Sequence, residues 1–324
     1  MGLVVMDRFL ELFSINEPIV QAPIGSMATI ELVKAVARGG GLGSLACTWM
    51  DFATIKRAIA TLHSAQVPYF LNFVMHFQRS DFREIFDLGV KAVQFSWGCD
   101  PDLVSEAKSR GIKVGIQIGH PAAVASALAS GCDFIIVQGC EAGGHVQSTR
   151  PLSLLLPTVI AQAGPTPVVA AGGIASPAQA RAAVTRGASG IMMGTRFLAS
   201  NESCAHALYK KALCSANASD TVFTNCFDEG WPHAMHRVLR NSTLERWEAA
   251  GCPQSSRRPG EHDIILDHAN GQQSRRYADI PPCDTDTGQV MEACLYSGTG
   301  IDDIEDIVGA ARIVERMSAA LRSF

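Results

Sequence analysis

The stretch PVVAAGGIASPAQARAAVTRGASGIMMGT, residues 167–195, contains one complete structural unit. Pro167–Gly173 is a short apolar run without polar alternation. That texture reads as a strand covered on both faces. Pro177 then opens a helical stretch that runs to Arg186, and proline at a helix start gives up an N–H that would be unpaired there anyway. Gly187 follows, where a left-handed C-cap is wanted, and Ser189–Thr195 is a second apolar run. Strand, helix, strand in this order requires parallel strands joined by a right-handed crossover.

Working outward, the same unit recurs. Apolar runs stand at Ile19–Ile24, Gly41–Ala46, Tyr69–Met75, Ala92–Trp97, Lys113–Gly119, Asp133–Gly139, Pro167–Gly173 and Ser189–Thr195. Stretches with helical spacing lie between them at Ile30–Arg38, Asp51–His63, Asp81–Leu88, Pro101–Arg110, Pro121–Ser130 and Pro177–Arg186. Eight strand–helix units within about 200 residues favour a closed (β/α)8 TIM barrel; an open doubly wound sheet is the alternative. A barrel of this class runs to roughly 200–250 residues, so a 324-residue chain fits a barrel with a smaller C-terminal accessory or lid segment. The expected division is a barrel over residues 1–215, an accessory substrate or lid segment over 216–300, and a C-terminal helix over 301–324 packing back on the barrel. Within the second part, Trp231–Trp247 reads as helix and Gln254–Asp286 as a loop-like insertion. In the third, Ile304, Ile307, Val308, Ala311, Ile313, Val314 and Met317 form an apolar stripe over Ile301–Leu321.

Composition narrows the function. The chain is 47% hydrophobic and 18% charged, with a net charge of −4, which is ordinary for a globular protein. Its basic residues form no run longer than a doublet; Arg257-Arg258 and Arg275-Arg276 read as solvated loop and give no nucleic-acid footprint. No apolar run approaches the ~18 residues of a membrane span. The start MGLVVMD lacks a basic region and a long apolar run, so no export signal is expected and the expected location is the cytoplasm. The ten cysteines are then expected to be free thiols. They include no C-x-x-C pair, so no metal site is expected.

Chemistry is expected at the C-terminal ends of the strands, where a barrel builds its site. Ala171, Gly172 and Gly173 end the seventh run, and Gly194 and Thr195 end the eighth. Barrels commonly bind phosphate there, with glycines allowing the backbone to approach an anion; two empty tight turns are the alternative. After the sixth run comes Gly139-Cys140-Glu141-Ala142-Gly143-Gly144-His145. Its glycines let the loop turn closely around a planar ligand, and His145 over the barrel mouth can take a proton near neutral pH or donate a hydrogen bond. The plain alternative is a surface histidine on a flexible loop. Asn72, Gln117 and His120 also stand at strand ends, where amides suit the polar edge of a flavin ring or merely satisfy buried polar groups. His76 is a weaker candidate. The fragment GLGSLA, residues 41–46, matches a dinucleotide fingerprint but runs from helix into strand, the wrong context.

With these residues in hand, the chain resembles the nitronate monooxygenase family, and is similar to the related FMN-dependent enoyl-acyl-carrier-protein reductases. The resemblance runs from Gln21-Ala22-Pro23-Ile24-Gly25 through Met193-Gly194-Thr195-Arg196-Phe197, and Glu141-Ala142-Gly143-Gly144-His145 is its most specific feature. It implies FMN at the barrel mouth. Ala22, Pro23, Ile24 and Gly25 would lie near the flavin ring, Asn72 and Gln117 would be polar contacts, and Gly143 and Gly144 would lie beside the cofactor. Ala171, Gly172, Gly173, Gly194 and Thr195 would lie at its phosphate, with His145 as catalytic base or orienting donor. Ile24 replaces a frequent family methionine, and Tyr296-Ser297-Gly298-Thr299-Gly300 stands where relatives carry an Ala-Gly-Gln-Ser type segment. His120, Tyr296 and Ser297 are therefore candidate substrate contacts. The implied partners are a small-molecule substrate, a nitronate or nitroalkane, and O2. An NAD(P)H-dependent enoyl-thioester or quinone reductase is the alternative. The oligomeric state is open, a homodimer being one option.

Overall fold

The computed structural model describes residues 2–322. Eight parallel strands form the centre: β1 (Ile19–Gln21), β2 (Gly43–Ala46), β3 (Tyr69–Val74), β4 (Ala92–Ser96), β5 (Lys113–Ile118), β6 (Phe134–Gln138), β8 (Val168–Ala171) and β9 (Gly190–Met193). A two-residue strand, β7 (Gly144–His145), lies outside this sheet. The order β1-β9-β8-β6-β5-β4-β3-β2 closes through a parallel bridge between Val20 and Leu42. Gln21 N donates to Leu42 O at 2.9 Å and Leu42 N to Ile19 O at 2.9 Å. The closed (β/α)8 barrel of the sequence reading is therefore the fold, and each strand falls inside its expected run.

Strand pleating sorts neighbours to opposite faces. Phe70 joins an interior cluster with Val20, Leu42, Ala92, Phe134, Ile136, Val169 and Met192, whereas Leu71 joins the layer between strands and helices. The helix Gly2–Phe13 plugs the N-terminal end. Phe9 and Phe13 meet Phe134 edge-on at 6.0 and 5.3 Å, in geometry favoured by ring quadrupoles. Gly115 makes room for that plug, since a Cβ there would come within 2.1 Å of the Phe134 ring.

Beyond the barrel the structure corrects the sequence reading. The helix expected over Ile301–Leu321 runs Ala310–Arg322, preceded by a 3-10 turn at Thr299–Asp303. Ile313, Val314 and Met317 are buried, but Ile307 is 37% exposed. The apolar pattern counted before Ala310 belongs to irregular chain that packs by single residues such as Ile304. The helix expected over Trp231–Trp247 is instead a strand, β11 (His236–Leu239), followed by the helix Ser242–Ala249. β11 lies between β10 (Thr221–Thr224) and β7, antiparallel to both; its pairing partners outweigh local helical spacing.

The insertion read as loop-like folds into a small sheet of β12 (Ile264–Asp267), β13 (Gln273–Arg275) and β14 (Thr287–Gly288). Its arginine doublets are not uniformly solvated. Arg258 is buried against Asp228 at 2.6 Å, and buried Arg276 pairs with Asp263 at 3.0 Å and with Glu292. These ion pairs and the cluster Cys226, Phe227, Val238, Leu244, Trp247, Tyr277 and Cys294 give the accessory segment a core of its own. Its other side merges with the barrel through Met27, Ala175, Leu198, Tyr209, Leu239, Leu295 and Ile301.

Candidate active site

The segment after β6 is tied across the mouth of the barrel. Gln138, at the end of β6, accepts from Gln147 N at 2.9 Å and donates to His145 O at 3.2 Å. The Glu141 carboxylate accepts from Leu152 N. Arg237 on β11 donates to Cys140 O at 3.1 and 2.9 Å. Pairing of His145 with His236 and of Gly144 with Arg237 completes the tie. His145 therefore stands on a short strand, paired with β11 and tied to Gln138.

Aromatic rings enclose the His145 imidazole. Trp231 lies 4.5 Å away, His236 5.5 Å and Tyr296 5.6 Å, centroid to centroid. Trp231 is a hub, with His76 stacked on it at 5.2 Å, Phe77 at 5.0 Å and Trp97 at 4.7 Å. Desolvation by this box pushes the His145 pKa down to about 3, with nearby His236 adding to the effect. Nε2 of His145 is buried without a hydrogen-bond partner among the described residues. A buried nitrogen left unpaired is costly, so it marks a place where an external polar group is wanted. His236 is fully buried; it accepts from Phe227 N at 3.2 Å and its Nδ1 faces Ala234 O at 2.9 Å. Those partners fix the neutral Nδ1–H tautomer, and burial lowers its pKa to about 4.

Most of the other expected residues lie at the ends of the barrel strands and in the turns that follow them. Asn72 in β3 donates to Gln94 Oε1 at 2.7 Å and approaches Ser96 Oγ at 3.4 Å. Gln117 in β5 is half-buried. Ala22 N donates to Met193 O at 2.9 Å, which joins the turn after β1 to the end of β9. A Cβ on Gly194 would sit 3.6 Å from Ile24 and 3.7 Å from Ala22. Pro23 is half-buried between them, and Gly25 turns the chain at φ +60°. After β8, Ala171 leads into Gly172 (φ +119°) and Gly173 (φ +66°), conformations that L side chains resist. Gly143 packs on Ser297 and Gly298, whereas a Cβ on Gly144 would meet open space.

The segment Tyr296–Gly300 lies against these turns. Thr195 Oγ1 accepts from Gly298 N at 3.0 Å, Thr299 N donates to Glu141 O at 2.9 Å, and Gly300 touches the Gly173 carbonyl so closely that only glycine fits. Tyr296 Oη donates to Asp279 O at 2.9 Å, while Ser297 is fully buried with Oγ on Gly298 O at 3.3 Å. His120 stands apart: it is exposed, and its Nδ1 caps the turn at Pro121–Ala123 by accepting from Ala122 N at 3.1 Å. Sequence reasoning missed Trp231, Trp97, His236 and Arg237. Trp97 was legible as a tryptophan at a strand end, and it holds a positive φ of 59°, rare for a bulky residue. The other three come from the accessory segment, whose strand was read as helix.

The family model described as nitronate monooxygenase matches residues 75–319. A Mycobacterium tuberculosis protein named (3aS,4S,5R,7aS)-5-hydroxy-7a-methyl-1-oxo-octahydro-1H-indene-4-carboxyl-CoA dehydrogenase is 35% identical over 74% of this chain and 67% of its own. The nitronate monooxygenase of Pseudomonas aeruginosa is 30% identical over 67% of this chain and 76% of its own. Among solved structures, nitroalkane oxidase from Streptomyces ansochromogenes superimposes with a TM-score of 0.76 at 25% identity, covering 98% of both chains. FabK from Thermotoga maritima shares the fold, with a TM-score of 0.76 at 24% identity over 98% of this chain and 96% of that one. The chain belongs to the nitronate monooxygenase family of flavin-dependent oxidoreductases.

Proposed function

We propose that this protein binds FMN across its barrel mouth and oxidises a nitronate with O2 to a carbonyl compound and nitrite. Two nitronates and one O2 give two carbonyl compounds and two nitrites, which balances atoms and charge. The observation that carries the reading is His145: a neutral imidazole, walled by aromatic rings, with a buried Nε2 that has no partner among the described residues. The residues present suit FMN. Gly172 and Gly173 offer backbone in conformations free of Cβ obstruction, with Ala171, Gly194 and Thr195 alongside for the phosphate. Ala22, Pro23, Ile24 and Gly25 form an apolar turn for one ring face, Asn72 and Gln117 supply amides, and Gly143 and Gly144 let the loop approach. Bound FMN would supply the one-electron and O2 chemistry that no side chain can.

His145 then donates to the nitro group from an Nε2–H, or in the other tautomer takes the α-proton of a neutral nitroalkane on Nε2; its depressed pKa keeps the ring uncharged. Trp231, Tyr296 and His236 exclude water around that nitrogen. Tyr296 can offer the substrate its ring, whereas Ser297, being fully buried, supports the turn beneath it. We infer that residues 216–300 act as the substrate-side cover of a barrel built by residues 1–215, with the C-terminal part bracing it from outside. Among the described residues no helix is long and apolar enough to cross a membrane.

A second reading is favoured by the 35% identity to the carboxyl-CoA dehydrogenase: the same neutral base would act beside an acyl-thioester carbonyl. One experiment separates the readings. The purified flavoprotein is titrated anaerobically with a nitronate, an acyl-CoA and NAD(P)H while the visible flavin bands are recorded. Bleaching by the nitronate supports the proposal; bleaching by the thioester or the nicotinamide alone moves the assignment. His145→Ala is expected to retain FMN and lose about 10²–10⁴-fold in turnover, and undiminished turnover would remove His145 from the chemistry.

A further inference from the structure

Cys204 and Cys283 are 79 positions apart, and their Sγ atoms lie 3.6 Å from each other. Cys204 belongs to the chain that follows β9, and Cys283 to the accessory segment. The backbones beside them are already locked: Ala205 bridges Cys283 in antiparallel fashion, His206 N donates to Pro282 O at 3.0 Å and Asp284 N to Cys204 O at 2.7 Å. A disulfide needs a sulfur separation of about 2.05 Å, a closure that side-chain rotation can supply. Buried Asp286 holds the second cysteine in place by accepting from Cys283 N at 2.7 Å. Asp286 is itself held by His268 Nδ1 at 2.9 Å, and His268 Nε2 meets Ser274 Oγ at 2.6 Å. Ser274 is 3% exposed, so this Ser–His–Asp chain cannot meet a substrate; it is a brace. Both cysteines are half-buried, within reach of a small oxidant.

We propose that Cys204 and Cys283 are a redox modification site at which a peroxide forms a reversible disulfide between barrel and accessory segment. In the first step one sulfur attacks the peroxide O–O bond, giving a sulfenic acid and water. The second thiol then attacks that sulfur and releases a second water. Two thiols lose two electrons and two protons, and one hydrogen peroxide is reduced to two waters. The Cys204 thiol faces Cys283 and lowers its pKa, which makes Cys283 the sulfur that attacks first, since the thiolate is the nucleophile. In the reduced form Cys204 Sγ also lies 2.9 Å from Ser26 O, in the turn Gly25–Met27 beside the barrel mouth, so its single S–H is shared between Cys283 and that carbonyl. Oxidation removes that S–H and frees the turn while stapling the accessory segment in place.

The test uses the full chain, reduced, freed of reductant and titrated with hydrogen peroxide, then alkylated, digested and mapped by mass spectrometry. Exposed Cys252 serves as the internal reference for oxidant dose. The expected result is a linked Cys204–Cys283 peptide that dithiol reductant reverses. It should be absent in Cys283→Ser and in Cys204→Ala, and oxidation should raise Tm by several degrees in the wild-type chain alone. Oxidation of Cys252 while Cys204 and Cys283 remain alkylatable would overturn the proposal. So would linkage of either cysteine to a different partner, or a linked form with unchanged Tm.

Discussion

At the scale of single residues, burial sets the chemistry. His145 and His236 sit in one desolvated pair, with pKa values depressed to about 3 and about 4 from an ordinary value near 6.5. The unfolded chain therefore binds more protons than the folded one between about pH 6.5 and 3, and stability rises with pH wherever that holds. The contribution is fully present above about pH 6.5 and is lost as pH falls. Urea unfolding midpoints are expected to decline from pH 7 to pH 5, and His145→Phe should flatten that decline. An unchanged slope in the variant would mean that His145 is solvated in the folded state. The same depression predicts that turnover shows no ionisation of His145 between about pH 5 and 8. This residue was legible from its glycine-rich loop and its position after the sixth strand. Its low pKa was not, because the rings that desolvate it come from residues 231, 236 and 296.

At the scale of elements, the strand β11 and the loop before it determine the shape of the mouth. Trp231 is 4% exposed and touches rings carried by the ends of β3, β4 and β7. It is anchored through neighbouring Asp228, which is paired with buried Arg258, and through Gly230, which lies against Asp279. Trp231→Ala should leave FMN content unchanged and raise KM roughly tenfold, the size of about 1.4 kcal/mol of lost apolar contact. Steady-state kinetics with FMN quantified by its visible absorbance would check this; loss of FMN would show that the ring holds the cofactor instead. Each barrel strand was legible because continuous apolar runs bounded by glycine and proline have one reading. β11 was not, because His236–Leu239 opens on two polar residues, His236 and Arg237, rather than on an apolar run, and takes its conformation from β7 and β10 rather than from its own pattern.

At the scale of the whole molecule, both ends of the chain hold the barrel. The first helix plugs it from below and the last packs on its side, where a Cβ on Gly39 would come within 2.7 Å of Val314 Cβ. Gly115→Ala is expected to destabilise the protein by about 1–3 kcal/mol, since the added methyl must displace the buried Phe134 ring. Chemical denaturation would measure it, and a neutral effect would show that the plug can shift. The eight-unit rhythm by itself favoured the barrel, and the local motifs at its strand ends supplied the glycines and the histidine that we propose for a cofactor site. These are periodic or local properties, set by pleat, crossover handedness and turn chemistry. The tertiary structure alone decided how residues 216–300 fold, which arginines are buried, and that two thiols 79 positions apart meet. Those outcomes depend on contacts between segments distant in the chain, and no local pattern encodes which distant partner a residue will find.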